Sequence, residues 1–155
     1  MRQQRWFPAT ALAVGLFVIN VVTRLVIRLA FSDSTSAQDR ASIVMFALIG
    51  LAIAVVTFLR AQRVRPSVWL WEVGLGALGG MLLTILVGPF VSGDQPFSGG
   101  AGNFFSQIWL YGGFAILGML LGYWIATAMG RDYRSRSLAR YVQTRAAKPR
   151  RAVRR

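Results

Sequence analysis

Apolar residues gather along this chain into four long blocks, at about 7–27, 42–59, 68–91 and 108–129, separated by short polar stretches. A helix needs about 20 apolar residues to cross the roughly 30 Å hydrocarbon layer of a bilayer, and each block approaches that length. Each is also too long to be a core helix of a small soluble domain. The stretches between them, FSDSTSAQDR, RAQRVRPS and SGDQPFSGGAGNFFS, carry turn and breaker residues. The pattern predicts an all-α integral membrane fold of four transmembrane helices, arranged as two antiparallel hairpins. Residues 1–130 form the membrane domain and 131–155 a basic tail.

Charge alternates sharply across these stretches. Arg2 and Arg5 precede the first block, Arg60, Arg63 and Arg65 lie between the second and third, and ten basic residues follow the fourth. The other two connections hold Asp33, Asp39 and Asp94 with Arg40 alone. The positive-inside rule therefore predicts that both termini and the middle turn are cytoplasmic, as in a bacterial-type inner membrane. Aromatic residues fit the same frame, with Trp6, Trp69, Trp71 and Trp124 toward the inner boundary and Phe104, Phe105, Trp109 and Tyr111 toward the outer one. A removable signal peptide is the rival reading of residues 1–30, because MRQQR and the apolar run after it resemble an n-region and h-region. Arg24 and Arg28 interrupt the place where a cleavage site would fall, so the block is taken as a retained span.

Composition narrows the chemistry. Apolar residues make up 55% of the chain and charged residues only 15%, too little charge to cover a soluble fold of this size. Cysteine and histidine are absent, which removes disulfides, thiolate nucleophiles, Cys/His metal sites, haem-ligating histidines and the commonest general base. Five carboxylates remain, Asp33, Asp39, Glu72, Asp94 and Asp132, spread over both predicted faces rather than paired. No enzyme and no cofactor are expected. The net charge of +13 comes from arginine almost alone, with Lys148 the single lysine; that ratio reflects genome base composition as much as function, so position is weighed and arginine identity is not.

Small residues recur at four-residue spacing in two blocks: Gly76, Gly80, Thr84 and Gly88 after Glu72 in the third, and Gly118, Gly122, Ala126 and Gly130 in the fourth. Such stripes let helix backbones approach closely in lipid. They predict that the third and fourth spans pack together as an antiparallel hairpin, with a permeation path lined by small residues as the functional alternative. Four residues turn a helix by about 400°, so each stripe drifts and only two or three positions face one neighbour.

Glu72 is the one carboxylate inside a predicted span, and an ionisable group there is a site candidate. It lies in the first turns of its span near Arg65, Trp69 and Trp71, which favours an ion pair at the inner boundary over a proton or cation site. Asn20, Arg24 and Arg28 share one face of the first span. The two arginines there snorkel to lipid phosphates, pair with Asp94, Asp33 or Asp39, or dock on another protein. The segment 93–103 has no cation and no Lys-Ser/Thr signature, so it reads as a flexible loop or a re-entrant turn anchored by Phe97, Phe104 and Phe105, and not as a phosphate cradle.

The tail combines Arg134, Arg136, Arg140 and Arg145 with Tyr133, Leu138, Tyr141 and Val142 at spacings that could form one side of a helix up to Pro149. Anionic lipid and acidic protein surfaces both attract such a segment; nucleic acid is not expected. Without an acidic surface to lie on, its like charges should keep it disordered. The only internal echo, Val-Gly-Leu at 73–75 and 14–16, is too slight for the repeats of a transporter. Taken together, these features point to a non-catalytic accessory or scaffolding subunit among other membrane subunits. A small homo-oligomeric channel or transporter, using Glu72 and the glycine stripes, is the alternative.

Overall fold

The computed structural model describes residues 6–30, 35–93 and 100–147, and these are almost entirely helical. The elements are α1 (Phe7–Ala30), α2 (Thr35–Ala61), α3 (Pro66–Leu82), a π-helical turn (Leu83–Val87), α4 (Gly88–Ser92), α5 (Gly100–Ala128) and α6 (Tyr133–Ala147). Helix α3, the π-turn and α4 make one continuous third span. Four segments are long and apolar enough to cross a membrane, as a multi-pass membrane protein requires.

The second and fourth spans begin earlier than their apolar blocks do. Helix α2 starts at Thr35 and α5 at Gly100, so part of the segment read as a loop or re-entrant turn is the first turn of a helix; residues 94–99, with Phe97, lie outside the described residues. Helix α5, with 29 residues, extends about 43 Å at about 1.5 Å per residue. That exceeds the hydrocarbon thickness, and a polar first turn can face water with its unpaired N–H groups satisfied there. Phe104 and Phe105 stack edge to face in that turn, with centroids 5.8 Å apart.

Helix ends follow their local sequence. Pro66 opens α3 in the first turn, where its missing N–H costs nothing and its fixed φ suits the helix. Gly130, at φ 61, closes α5. Its N–H donates to the Thr127 carbonyl (2.9 Å), and that of Arg131 donates to the Ala126 carbonyl (2.9 Å), the paired bonds of a Schellman stop that needs a left-handed residue. Gly130 therefore ends the helix and takes no part in the stripe.

The stripes pack, but not on each other. A Cβ on Gly118 would overlap the Gly50 carbonyl oxygen, and one on Gly122 would overlap that of Ala54. Both partners belong to α2. On the third span, a Cβ on Gly76 would lie 2.8 Å from Leu12 Cδ2, and one on Gly80 would lie 3.1 Å from Leu16 Cβ, both on α1. Residue numbers rise together in each pairing, so α1 runs parallel to α3 and α2 parallel to α5. The expected contact of spans three and four as a glycine-to-glycine hairpin is thus corrected. The glycine face of the third span instead accepts the leucines of α1, and that of the fourth accepts the carbonyls of Gly50 and Ala54 on α2.

Between the pairs lies a core of Leu16, Met45, Phe46, Ile49, Ile53, Trp69, Val73, Tyr111, Ala115 and Ala126. Phe46 meets Tyr111 edge to face, with centroids 6.4 Å apart. Trp6, Trp71, Trp109 and Trp124 are exposed on the outside of the bundle, while Trp69 and Tyr111 are buried. Tyr111 is drawn inside because it falls on the face of α5 that carries Ala115, Gly118, Gly122 and Ala126, whereas Trp109 falls on the other.

Gly122→Ala is expected to cost about 1–3 kcal/mol, because the added methyl meets backbone that cannot turn aside. Gly113→Ala, where an added Cβ meets nothing within 4 Å, should be neutral or slightly stabilising through helix propensity. Thermal unfolding of both variants in detergent measures the difference; equal midpoints would mean that α2 and α5 do not meet along this seam.

Candidate functional site

Two places concentrate polar chemistry, a seam inside the bundle and the basic end beside the Arg60–Arg65 turn. The seam is organised by the π-turn. Pro89 has no N–H to give, and its ring would strike the carbonyl four residues earlier, at Ile85. The chain answers by widening one turn: the N–H of Gly88 donates to the carbonyl of Leu83, five residues back. A π-turn winds more slowly than an α-turn, which offsets the drift of the stripe. Gly88 therefore still faces α1 along with Gly76 and Gly80.

Gly88 serves a different purpose from those two. A Cβ there would lie 2.9 Å from Asn20 Oδ1 and 3.3 Å from Arg24 Nε, so the missing side chain makes room for two polar groups of α1. Asn20 is fully buried, and its amide donates to Met45 Sδ at 3.1 Å. Thr84, one helical step from Gly88, and Tyr111, whose hydroxyl comes within 2.7 Å of a Cβ placed on Gly80, are buried as well. Asn20 Oδ1, Thr84 Oγ1 and Tyr111 Oη accept or donate no hydrogen bond among the described residues.

A carboxamide, two hydroxyls and one guanidinium thus line a single seam, with no carboxylate or imidazole beside them among the described residues. That set can hold polar partners by hydrogen bonding. Arg24 is half-buried and turned into this seam, so it is not simply a lipid-facing snorkel. The side chains of Arg28 and Asp39, and all of Asp33 and Asp94, lie outside the described residues, along with the pairings expected of them.

At the basic end, the turn after α2 is closed by bonds from the N–H groups of Arg63 and Val64 to the carbonyl of Arg60. This brings the last turn of α2 beside the early turns of α3. Arg60 Nη1 then lies 3.4 Å from Glu72 Oε2, with both side chains partly buried. The ion pair expected of Glu72 therefore exists, with Arg60 and not Arg65 as its partner. Arg65 stands at the N-cap of α3, two turns before Glu72, and instead bonds the Tyr133 hydroxyl, which holds its guanidinium above its usual pKa. Trp69 packs on Tyr123 with ring centroids 5.5 Å apart.

The tail is helical over residues 133–147, as the spacing of its apolar side chains allows. Its first turn is capped by Asp132, a buried carboxylate. Oδ2 accepts from the N–H groups of Arg134 (3.1 Å) and Ser135 (3.4 Å), and Oδ1 from the Ser135 hydroxyl. Arg136 adds a 3.5 Å bond to Gln62 Oε1, so the root of α6 is fastened to the α2–α3 turn. Beyond it, Arg134, Arg136, Arg140 and Arg145 are exposed.

Little of the seam was visible in sequence. Thr84 looked like one more small residue of a stripe and Tyr111 like a boundary aromatic. The signal that could have found the site was Pro89 inside an apolar run, five residues beyond the lone threonine of that block.

Tyr111→Phe removes a buried hydroxyl that has no partner among the described residues, so its thermal stability should be unchanged or raised by up to about 1 kcal/mol; a clear loss would reveal a bond to that oxygen. A second expectation concerns pH. The hydrogen bond from Ser135, with those from the backbone, holds the Asp132 carboxyl below its ordinary value. A depressed folded pKa gives stability that is complete above the unfolded value of about 3.9 and is lost as pH falls through the lower folded value. Hydrogen exchange of α6 amides should therefore speed up in acid beyond its intrinsic pH dependence, and Asp132→Asn should abolish that extra loss while keeping the cap. Searched against known protein families, curated proteins and solved structures, the chain matches none.

Proposed function

We propose that this chain is a non-catalytic accessory or scaffolding subunit of a larger complex in a bacterial-type inner membrane, with both termini on the cytoplasmic side. The observation that carries the reading is α6, a helix rooted at the basic end of the bundle yet bare along the rest of its length. Asp132, Tyr133 and Arg136 fix where it starts, while Leu138, Tyr141 and Val142 are all more than half exposed. A helix held at one end and uncovered along its side suits a protein that reaches over a cytoplasmic surface. Broad apolar flanks, with Trp109, Trp124, Leu120 and Ile116 exposed, suit contact with lipid and with neighbouring spans.

The channel or transporter reading has less support. Gly118 and Gly122 are closed against carbonyls of α2, so the stripes fill the interior where a path would have to run. Glu72 sits at the end of the bundle beside Arg60, which neutralises it without a permeant cation.

Gentle detergent purification of the native protein, followed by identification of what accompanies it, separates the two. Foreign membrane subunits in fixed stoichiometry are the expected result. A homo-oligomer that conducts ions in reconstituted bilayers, and stops conducting on Glu72→Gln, would replace this reading with the channel.

A further inference from the structure

From the disposition of its side chains, we infer that α6 lies on the anionic headgroup layer of the leaflet at the basic end, with Leu138, Tyr141 and Val142 inserted between lipids. Those three residues follow the i, i+3, i+4 spacing of one helical face. At about 100° per residue, Arg136 and Arg140 fall on the opposite face. Arg134 and Arg145 lie in line with the apolar face, about one turn beyond each of its ends, where long arginine stems can lie along lipid while their heads reach phosphate. Arg145 already folds over Tyr141, its guanidinium carbon 5.3 Å from the ring centroid, a cation on the ring face.

Three further observations select lipid over a protein groove. Helix α6 contains no acidic residue, so its attraction to an anionic surface is undirected and needs no matching pattern of charge. Its apolar face is three side chains wide, enough for shallow interfacial insertion but far short of the roughly 800 Å² that a specific protein interface buries on each partner. Its position is also set by the chain itself. The Schellman stop at Gly130 and the cap at Asp132 place Tyr133 a few residues beyond the end of the fourth span, so the helix begins at the height of the headgroups. Basic residues near such a surface are drawn to anionic lipid and held within a Debye length of it.

The inference rests on the reading of α6 as the chain's contact with a cytoplasmic surface, and names that surface. Because the chain has no cysteine, one introduced thiol carries a probe at one place. Full-length Leu138→Cys and Gln143→Cys, each labelled with an environment-sensitive fluorophore, are reconstituted into vesicles of phosphatidylcholine alone or mixed with phosphatidylglycerol. With phosphatidylglycerol, the probe at 138 should shift to the blue, brighten about twofold or more and be quenched by spin-labelled acyl chains, as a buried face requires. The probe at 143 should keep the emission of water in both. Arg134→Gln with Arg140→Gln should weaken the response at 138, with the bundle verified by unchanged thermal unfolding. Equal responses at 138 and 143, no response with phosphatidylglycerol, or equal responses in both vesicle types would overturn the inference. So would a response at 138 that arises only when a co-purified subunit is added, since that would make the surface a protein. The vesicles hold no other protein, so failure here leaves the subunit proposal standing, and failure to find a companion subunit leaves this result standing.

Discussion

Where Gly118 and Gly122 of α5 rest on the carbonyls of Gly50 and Ala54, two backbones meet with no side chain between them. In hydrocarbon, apolar side chains gain nothing by leaving lipid for one another, so helices associate through dispersion and weak Cα–H contacts that fall away steeply with distance. A seam of this closeness is where such forces are largest. It fixes the separation of α2 and α5, and that separation decides which side chains fill the space beside it: Ile49, Ile53, Ala115 and Ala126. With α5 committed to α2, the glycine face of the third span is left to receive Leu12 and Leu16 of α1.

The interior seam around Asn20 places the opposite demand on the same medium. A carboxamide and two hydroxyls removed from water are costly unless they are bonded, and the third span presents Thr84 there on a turn already loosened by Pro89. Irregular backbone is tolerated at membrane depth only where protein encloses it. Here α1 encloses it from one side and Tyr111 from another, so the π-turn and the polar seam depend on each other. A straight third span would rotate Gly88 away from Asn20, and the asparagine would then meet a side chain where it now meets none.

The helical class and the four spans were legible because apolar block length is a direct consequence of bilayer thickness, and the basic helix because Leu138, Tyr141 and Val142 keep its period. Partner choice among the spans was not legible. The stripes at Gly80 and Gly122 say that something approaches closely, but a bare groove carries no mark of what enters it, and adjacency in the chain was a poor guide. Glu72 shows the same limit on a smaller scale. Its depth predicted an ion pair correctly, yet the partner was chosen by how tightly the turn at Arg60 to Arg65 closes, which spacing alone does not encode. That Tyr111 is buried was not legible either, because one phenol in an apolar block does not tell which face of its helix turns inward.

The parallel pairing of α1 with α3 and α2 with α5 has a consequence for biogenesis. Each tight partnership joins elements that are separated by an entire intervening span, so no newly inserted helix finds its mate in the helix made just before it. When α1 and α2 have entered the bilayer, the surfaces around Leu12 and Gly50 are both still waiting. The third span satisfies only the first of these, and the second stays open until α5 arrives. Compaction is therefore a late event that follows completion of the fourth span, and a chain interrupted after Ala61 would present two unmatched faces to the lipid, to quality-control proteases and to any neighbouring helix able to cover them.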